Sequence, residues 1–134
     1  MVDTTFRTIP DRQQRAMAGL SMGSVQTLYI GLTNLDKFSY LGVFSRRPMS
    51  SDEFNIQESF GGVFTDPIAF NQKLKLFWWG AGTAEEGIYN ATKADLAELK
   101  KAGIRSVFVE FPGTSHEWQT WRKCLHDFTQ RLFW

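Results

Sequence analysis

This sequence of 134 residues has little cysteine and little histidine, and neither positive nor negative charge is in clear excess. The single cysteine, Cys124, excludes an internal disulfide framework, and two histidines without a cysteine pair argue against a structural zinc site. Fifteen basic and fourteen acidic residues leave a net charge of +1, too small to gather a polyanion. We therefore expect no nucleic-acid partner, no bound metal and no cofactor.

Long apolar runs are also missing, because no stretch approaches the roughly 20 apolar residues of a membrane span. Residues 1–5 show no basic region followed by an apolar one, so no secretory signal is visible in the chain as given. The default expectation is a cytoplasmic protein without a membrane partner. Apolar residues make up 43% of the chain and aromatic residues 15%, which is enough for one folded domain over residues 1–134.

Apolar runs and helical spacing alternate along the chain. Runs ended by glycine, serine or proline predict strands at residues 15–21, 40–45, 74–79 and 104–111, with the glycines at 80–82 ending the third. Periodicity predicts helices at 22–35, 89–102 and 117–132, and a loop at 46–72 with helical turns near 52–59 and 67–72. The last helix places Trp118, Trp121, Leu125, Phe128 and Leu132 on one face. This alternation is typical of an α/β fold with about four parallel strands and flanking helices.

The segment Gly19–Gly23 matches the pattern G-x-S-x-G at the junction of a predicted strand and a predicted helix. In a nucleophile elbow the turn is strained and crowded, which requires glycine on both sides, and the following helix points its N-terminus at the serine. Ser21 is therefore the candidate nucleophile. The alternative interpretation is a tight strand-to-helix turn that carries an inert serine.

A serine hydroxyl needs a base to remove its proton. His116 follows the fourth predicted strand, at the same sheet edge as Ser21, and is the better candidate. His126 lies inside the last helix and is interpreted as a surface or packing residue. Cys124, in the same helix, is a weaker candidate nucleophile because no base is positioned beside it.

An acid that orients the histidine should lie in the loop after the third strand, which emerges at the same edge. Glu85 and Glu86 are both in that loop. The alternative interpretation is that each glutamate only favours the N-terminus of the following helix. The chain order serine, acid, histidine is that of α/β-hydrolases.

Three segments together, residues 18–23, 75–83 and 113–122, resemble the esterase family that includes the feruloyl and acetylxylan esterases of carbohydrate esterase family 1. The spacing of His116, Trp118, Trp121 and Arg122 is the most discriminating part. The resemblance covers nearly all of this chain but only the C-terminal half of the family's α/β-hydrolase domain. It implies that residues 1–134 form a single truncated α/β-hydrolase-like domain.

The resemblance also implies roles for individual residues. Ser21 would be the nucleophile, His116 the general base and Glu86 the acid, with Glu85 as the alternative because this loop is one residue longer than the family's. The backbone N–H of Met22 would be one oxyanion donor. The expected function is a serine esterase that hydrolyses small acetyl or feruloyl-type esters through an acyl-enzyme. The alternative is a non-catalytic, hydrolase-derived fragment that serves as an interaction or scaffold module.

The first predicted strand has no preceding strand beside it and would form an exposed apolar sheet edge. Such an edge favours pairing with another chain. We therefore expect a homodimer in which two half-sheets join antiparallel through these edges into a sheet of about eight strands, with the two Ser21 sites near the junction.

Overall fold

A computed structural model describes residues 2–48 and 54–133. The helices are α1 (Val2–Thr5), α2 (Met22–Thr33), α3 (Pro67–Lys73), α4 (Glu86–Lys101) and α5 (Trp118–Thr129), and the strands are β1 (Ala16–Leu20), β2 (Tyr40–Phe44), β3 (Leu76–Gly82) and β4 (Val107–Phe111). Short 3₁₀ segments lie at Arg12–Gln14 and Ser59–Gly61. The predicted α/β class is confirmed. No helix within these residues has both the length and the apolar character needed to cross a bilayer.

The four strands form one parallel sheet in the order β1-β2-β3-β4. Val43 in β2 pairs with Gly19 on one side and with Trp79 on the other. Every residue of β2 is buried, whereas β1 is only partly buried. Among the described residues β1 pairs with β2 alone, so the expected free edge is present. Because all strands run in one direction, the loops after them meet at one edge of the sheet.

Helices cover both faces of the sheet, as the alternation predicted. On one face α2, α3 and α4 bury a large apolar core that contains Leu28, Leu32, Leu41, Val43, Phe64, Phe70, Phe77, Trp79 and Leu99. On the other face α5 packs over a smaller cluster of Tyr40, Phe44, Trp78, Cys124 and Phe128. We call these the three-helix face and the α5 face.

Several predicted boundaries are wrong: among them, β4 begins at Val107 rather than at residue 104, and α5 ends at Thr129 rather than at residue 132. The glycines at 80 and 82 do not end the third strand, which runs to Gly82. A Cβ at Gly80 would meet the Trp78 ring, and one at Gly82 would meet the Thr114 backbone, so these glycines permit close packing inside the strand. Helix α4 begins at Glu86, three residues before the predicted start at Tyr89. Of the helical turn predicted near 52–59, residues 52 and 53 lie outside the described residues.

The predicted apolar face of α5 is only partly correct. Phe128 is buried, but Trp118 is 75% exposed and Leu125 is 52% exposed. The buried positions of the helix are Thr120, Cys124 and Phe128. The helix turns this narrower stripe towards β2 and β3, and its Trp118–Leu125 side faces a space beside β1.

Candidate functional site

Ser21 occupies a sharp turn between β1 and α2. Its backbone has φ 52° and ψ −118°, a conformation that residues other than glycine rarely adopt. The Ser21 N–H donates to the Phe44 carbonyl at 3.0 Å, so the sheet ladder continues to the turn itself. Helix α2 begins at the next residue, Met22, where helical N–H groups have no partner within the helix. The turn has the strain expected of a nucleophile elbow.

The two glycines beside Ser21 differ in how much space surrounds them. A Cβ at Gly19 would run into the carbonyl group of Gly23, so only glycine lets α2 approach β1 this closely. A Cβ at Gly23 would meet nothing within 4 Å. The expectation that crowding requires glycine on both sides therefore fits Gly19 but not Gly23.

His116 lies beside Ser21 although 95 residues separate them in the chain. The Nε2 atom of His116 is 2.9 Å from Ser21 Oγ, and its Nδ1 atom is 2.7 Å from Glu85 Oε2. An ionised carboxylate can only accept a hydrogen bond, so Nδ1 carries a proton and donates a hydrogen bond to Glu85. In the neutral imidazole Nε2 is then the acceptor and receives the hydrogen bond from the Ser21 hydroxyl.

Glu85, and not Glu86, is the glutamate that contacts the histidine, which corrects the choice of Glu86. The Glu85 side chain is fully buried at the start of α4. Glu86 is exposed in the first turn of α4, where a negative charge favours the positive end of the helix. The alternative interpretation of a first-turn acid thus describes Glu86. Adjacent residues at a helix start point in different directions, so only one of the two can face His116.

Ser45 also contacts the acid, and the sequence analysis did not single it out. The Ser45 hydroxyl donates to Glu85 Oε1 at 2.7 Å, and the Gly82 N–H donates to the same oxygen at 2.8 Å. Glu85 therefore accepts three hydrogen bonds in a buried setting. Its position in the sequence could have indicated a role, because Ser45 directly follows β2 at the sheet edge that also carries Ser21 and His116.

The other candidates lie apart from this chain of hydrogen bonds. His126 is exposed on α5. Cys124 is fully buried on the sheet-facing side of α5, and burial raises the pKa of its thiol to about 12. A thiol with so high a pKa carries almost no thiolate near neutral pH, which argues against Cys124 as a nucleophile.

A groove of about 590 Å³ runs beside the site between β1 and α5. Its walls are mainly apolar and aromatic, and the residues that line it are Ala18, Gly19, Leu20, Phe44, Trp118, Gln119, Trp121, Arg122 and Leu125. Three of these residues belong to β1, the strand that pairs with β2 alone among the described residues. The groove is the space towards which the uncovered side of α5 points.

Comparison with known proteins supplies the family. Residues 1–132 match the family model Esterase, described as "Putative esterase". The chain is also 36% identical over 134 residues to an endo-1,4-beta-xylanase/feruloyl esterase of Xylanibacter ruminicola. That alignment covers 98% of this chain but 16% of the relative.

Solved structures with the same fold are about twice as long. A ferulic acid esterase of Anaeromyces mucronatus, solved in complex with ferulic acid, superposes with a TM-score of 0.79 at 20% identity, over 98% of this chain and 49% of its own. A fluorophosphonate-binding serine hydrolase of Staphylococcus aureus superposes with a TM-score of 0.74 at 16% identity, over 96% of this chain and 58% of its own. These similarities confirm the fold as the C-terminal half of an α/β-hydrolase. The chain spans about half the length of these structures.

Proposed function

Because this chain belongs to the esterase family, we propose that it is a serine esterase in which Ser21, His116 and Glu85 form the catalytic triad. The observation that supports this proposal most directly is the continuous hydrogen-bonded chain from the buried Glu85 carboxylate through His116 to the Ser21 hydroxyl. The base lies within the 2.6–3.2 Å heavy-atom distance that proton transfer requires. A strained serine at a helix start is the position that such a nucleophile occupies in α/β-hydrolases.

In the proposed reaction Ser21 Oγ attacks the ester carbonyl carbon while His116 Nε2 takes the hydroxyl proton. Glu85 holds the imidazole in the required tautomer and stabilises the imidazolium that forms. The tetrahedral intermediate then collapses, the bond to the alcohol oxygen breaks, and His116 returns the proton to the departing alcohol. Water, deprotonated by His116, hydrolyses the acyl-enzyme in the same manner. The products are a carboxylic acid and an alcohol.

Charge on the intermediate's oxyanion requires hydrogen-bond donors. The backbone N–H of Met22, at the start of α2, is the donor that this chain would supply. In the α/β-hydrolase arrangement a second donor comes from a loop after an earlier strand. Removal of one such donor lowers kcat by about 10²–10³ in a known serine protease, so a site with one donor would still be measurably active.

For the substrate we propose a small ester with an acetyl or a feruloyl-type acyl group. The names of the Xylanibacter ruminicola relative and of the Anaeromyces mucronatus structure both refer to ferulic or feruloyl esters. Comparison of p-nitrophenyl acetate with methyl ferulate would show which acyl group is preferred.

The triad is tested by labelling the full chain with a fluorophosphonate probe, which requires an activated serine. We expect labelling at Ser21 that is lost in Ser21→Ala, together with loss of p-nitrophenyl acetate hydrolysis. A folded wild-type chain that neither labels nor hydrolyses would favour the alternative, a non-catalytic interaction or scaffold module.

The identity of the acid is tested with a matched pair of variants. Glu85→Gln should lower kcat about 10⁴-fold, as the equivalent amide does in a serine protease, because the amide no longer fixes the histidine tautomer. Glu86→Gln removes the same charge from the adjacent, exposed residue and should leave hydrolysis nearly unchanged. Equal losses in the two variants would contradict the assignment of Glu85.

We also propose that a second copy of this chain pairs with the free edge of β1. Each chain supplies four parallel strands, and a two-fold axis would pair two β1 strands antiparallel into a sheet of eight. The exposed Trp118 and Leu125 beside the same edge give such a contact an apolar surface.

Sedimentation over a range of concentrations tests this pairing. We expect a dimer, and we expect Leu125→Glu to dissociate it because a charge would be buried in the contact. Ile68→Glu is the matched control, since Ile68 is 71% exposed on α3, on the three-helix face. A monomeric, folded wild-type chain at micromolar concentration would overturn the proposed dimer.

A further inference from the structure

Ser45 has an environment that its role as a loop residue does not explain. It is completely buried, it directly follows β2, and its backbone has φ 47°, in the left-handed region that disfavours residues with a side chain. Its N–H donates to the Gly80 carbonyl at 2.8 Å, which continues the ladder between β2 and β3. This ladder bond and the strained backbone fix the direction of the side chain.

The Ser45 hydroxyl is the middle of a hydrogen-bonded chain with only one possible direction. It lies 3.1 Å from Trp121 Nε1 and 2.7 Å from Glu85 Oε1. An indole N–H can only donate and a carboxylate can only accept, so the hydroxyl receives from Trp121 and donates to Glu85. Ser45 therefore has no freedom to rotate its proton elsewhere without breaking one of these bonds.

Trp121 reaches the histidine by a second route. The rings of His116 and Trp121 are 5.0 Å apart at 88°, so the two rings meet edge to face. One side chain thus contacts the base through its ring and the acid through the Ser45 hydroxyl. The contacts close a loop that runs through Ser45, Glu85, His116 and Trp121.

We propose that Ser45 and Trp121 are positioning residues that hold the two ends of the Glu85–His116 hydrogen bond in register with Ser21. This inference rests on the proposed serine esterase function for its kinetic consequences, but not for its structural ones. Trp121 fixes the plane of the imidazole, and Ser45 fixes the rotation of the carboxylate. Gly82 N–H donates to the same carboxylate oxygen, so the loss of Ser45 weakens the arrangement without freeing Glu85 completely.

Ser45→Gly is the informative substitution, because glycine accepts the positive φ and the change removes only the small hydroxymethyl side chain. The chain should fold, and kcat for p-nitrophenyl acetate should fall about tenfold, which corresponds to the loss of one hydrogen bond to a charged group. KM should change less than kcat because Ser45 is completely buried and cannot contact the substrate. Ser45→Thr retains the hydroxyl and should recover part of the rate if it folds.

Trp121→Phe removes the indole N–H and keeps an aromatic ring beside His116. Its effect on kcat should be severalfold in the wild-type background and should vanish in Ser45→Gly, because both changes break the same chain of hydrogen bonds. Trp78→Phe is the matched control: Trp78 is a buried tryptophan that packs against α5 from the sheet, but its N–H donates to Asp127 instead. Equal loss of kcat in Trp78→Phe would show that repacking alone lowers the rate and would overturn the inference.

Proton NMR separates the inference from the proposed function. The low-field resonance of the His116 Nδ1 proton reports its hydrogen bond to Glu85 whether or not the chain hydrolyses esters. We expect Ser45→Gly and Trp121→Phe to shift or broaden this resonance and Trp78→Phe to leave it unchanged. An unchanged resonance in both of the first two variants would overturn the positioning role. A wild-type chain with the resonance but without Ser21-dependent hydrolysis would overturn the esterase function alone.

Discussion

The three-helix face and the α5 face of the sheet are covered to different extents. Three helices close the first over a continuous apolar core, in which Trp79 is completely buried. One helix covers the second, and it leaves Trp118 three-quarters exposed beside an open groove. Ser21 and Glu85 directly precede α2 and α4 of the three-helix face, whereas His116 lies in the loop before α5. The proposed triad therefore joins the well-covered face of the sheet to the less protected one.

The largest difference in the free energy of unfolding is expected between substitutions of a tryptophan on each face. Trp79→Ala leaves a cavity in the closed core and should lower the free energy of unfolding by about 3–5 kcal/mol. Trp118→Ala removes a ring that is exposed in the single chain and should change the free energy of unfolding by less than about 0.5 kcal/mol at concentrations at which the chain is monomeric. Urea denaturation measures both. At concentrations at which the proposed dimer forms, Trp118→Ala should cost more, because the ring would then be covered by the second copy.

A smaller difference is expected between the two glycines of the elbow, where α2 joins the three-helix face to β1. Gly19→Ala should cost about 1–3 kcal/mol and displace Ser21, because the new methyl group collides with the Gly23 backbone. Gly23→Ala places a methyl group in open space within a helix and should raise stability by about 0.5–1 kcal/mol. Thermal unfolding with activity measurements tests the pair. Equal losses would mean that Gly23 also packs against something.

The smallest effect concerns the polar anchor of the α5 face. Asp127 accepts hydrogen bonds from Arg131 and from Trp78 Nε1, and these hold the pKa of its carboxyl below the ordinary 3.8. The resulting stability is fully present above pH 3.8 and is lost as the pH falls through the lower value in the folded state.

In Asp127→Asn, the free energy of unfolding should therefore fall less between pH 6 and pH 3 than it does in the wild type, by less than about 1 kcal/mol. Free energies of unfolding at pH 6 and pH 3, compared between wild type and variant, provide the measurement. An identical pH dependence in the two proteins would show that Asp127 contributes nothing there.

The sequence determined the fold class and two members of the candidate triad because each rests on a repeated physical rule. The spacing of apolar residues predicts the strands and helices. Because the strands are parallel, the loops that carry Ser21 and His116 are expected at the same edge of the sheet. The sequence does not decide between Glu85 and Glu86, because the direction of each side chain depends on the residue at which α4 begins. Ser45 belongs to no motif, and its role arises only from burial and the strained backbone.

The exposed side of α5 was missed for a related reason. Helical spacing grouped Trp118 and Leu125 with Phe128, but spacing alone does not show how far a sheet extends beneath a helix. Among the described residues the sheet ends at β1, and Trp118 and Leu125 lie beside that edge and not over a further strand. The spacing of apolar residues in α5 carries no information about that edge.

The hydrogen bond between Ser21 and His116 joins residues 95 positions apart. Ser21 follows the first strand of the sheet and His116 follows the last, so the bond requires the native arrangement of all four strands. A partly unfolded chain would therefore lack the base that the proposed mechanism gives to Ser21. A serine-reactive probe applied to refolding chains would then report the completion of this long-range contact and not the formation of the elbow alone.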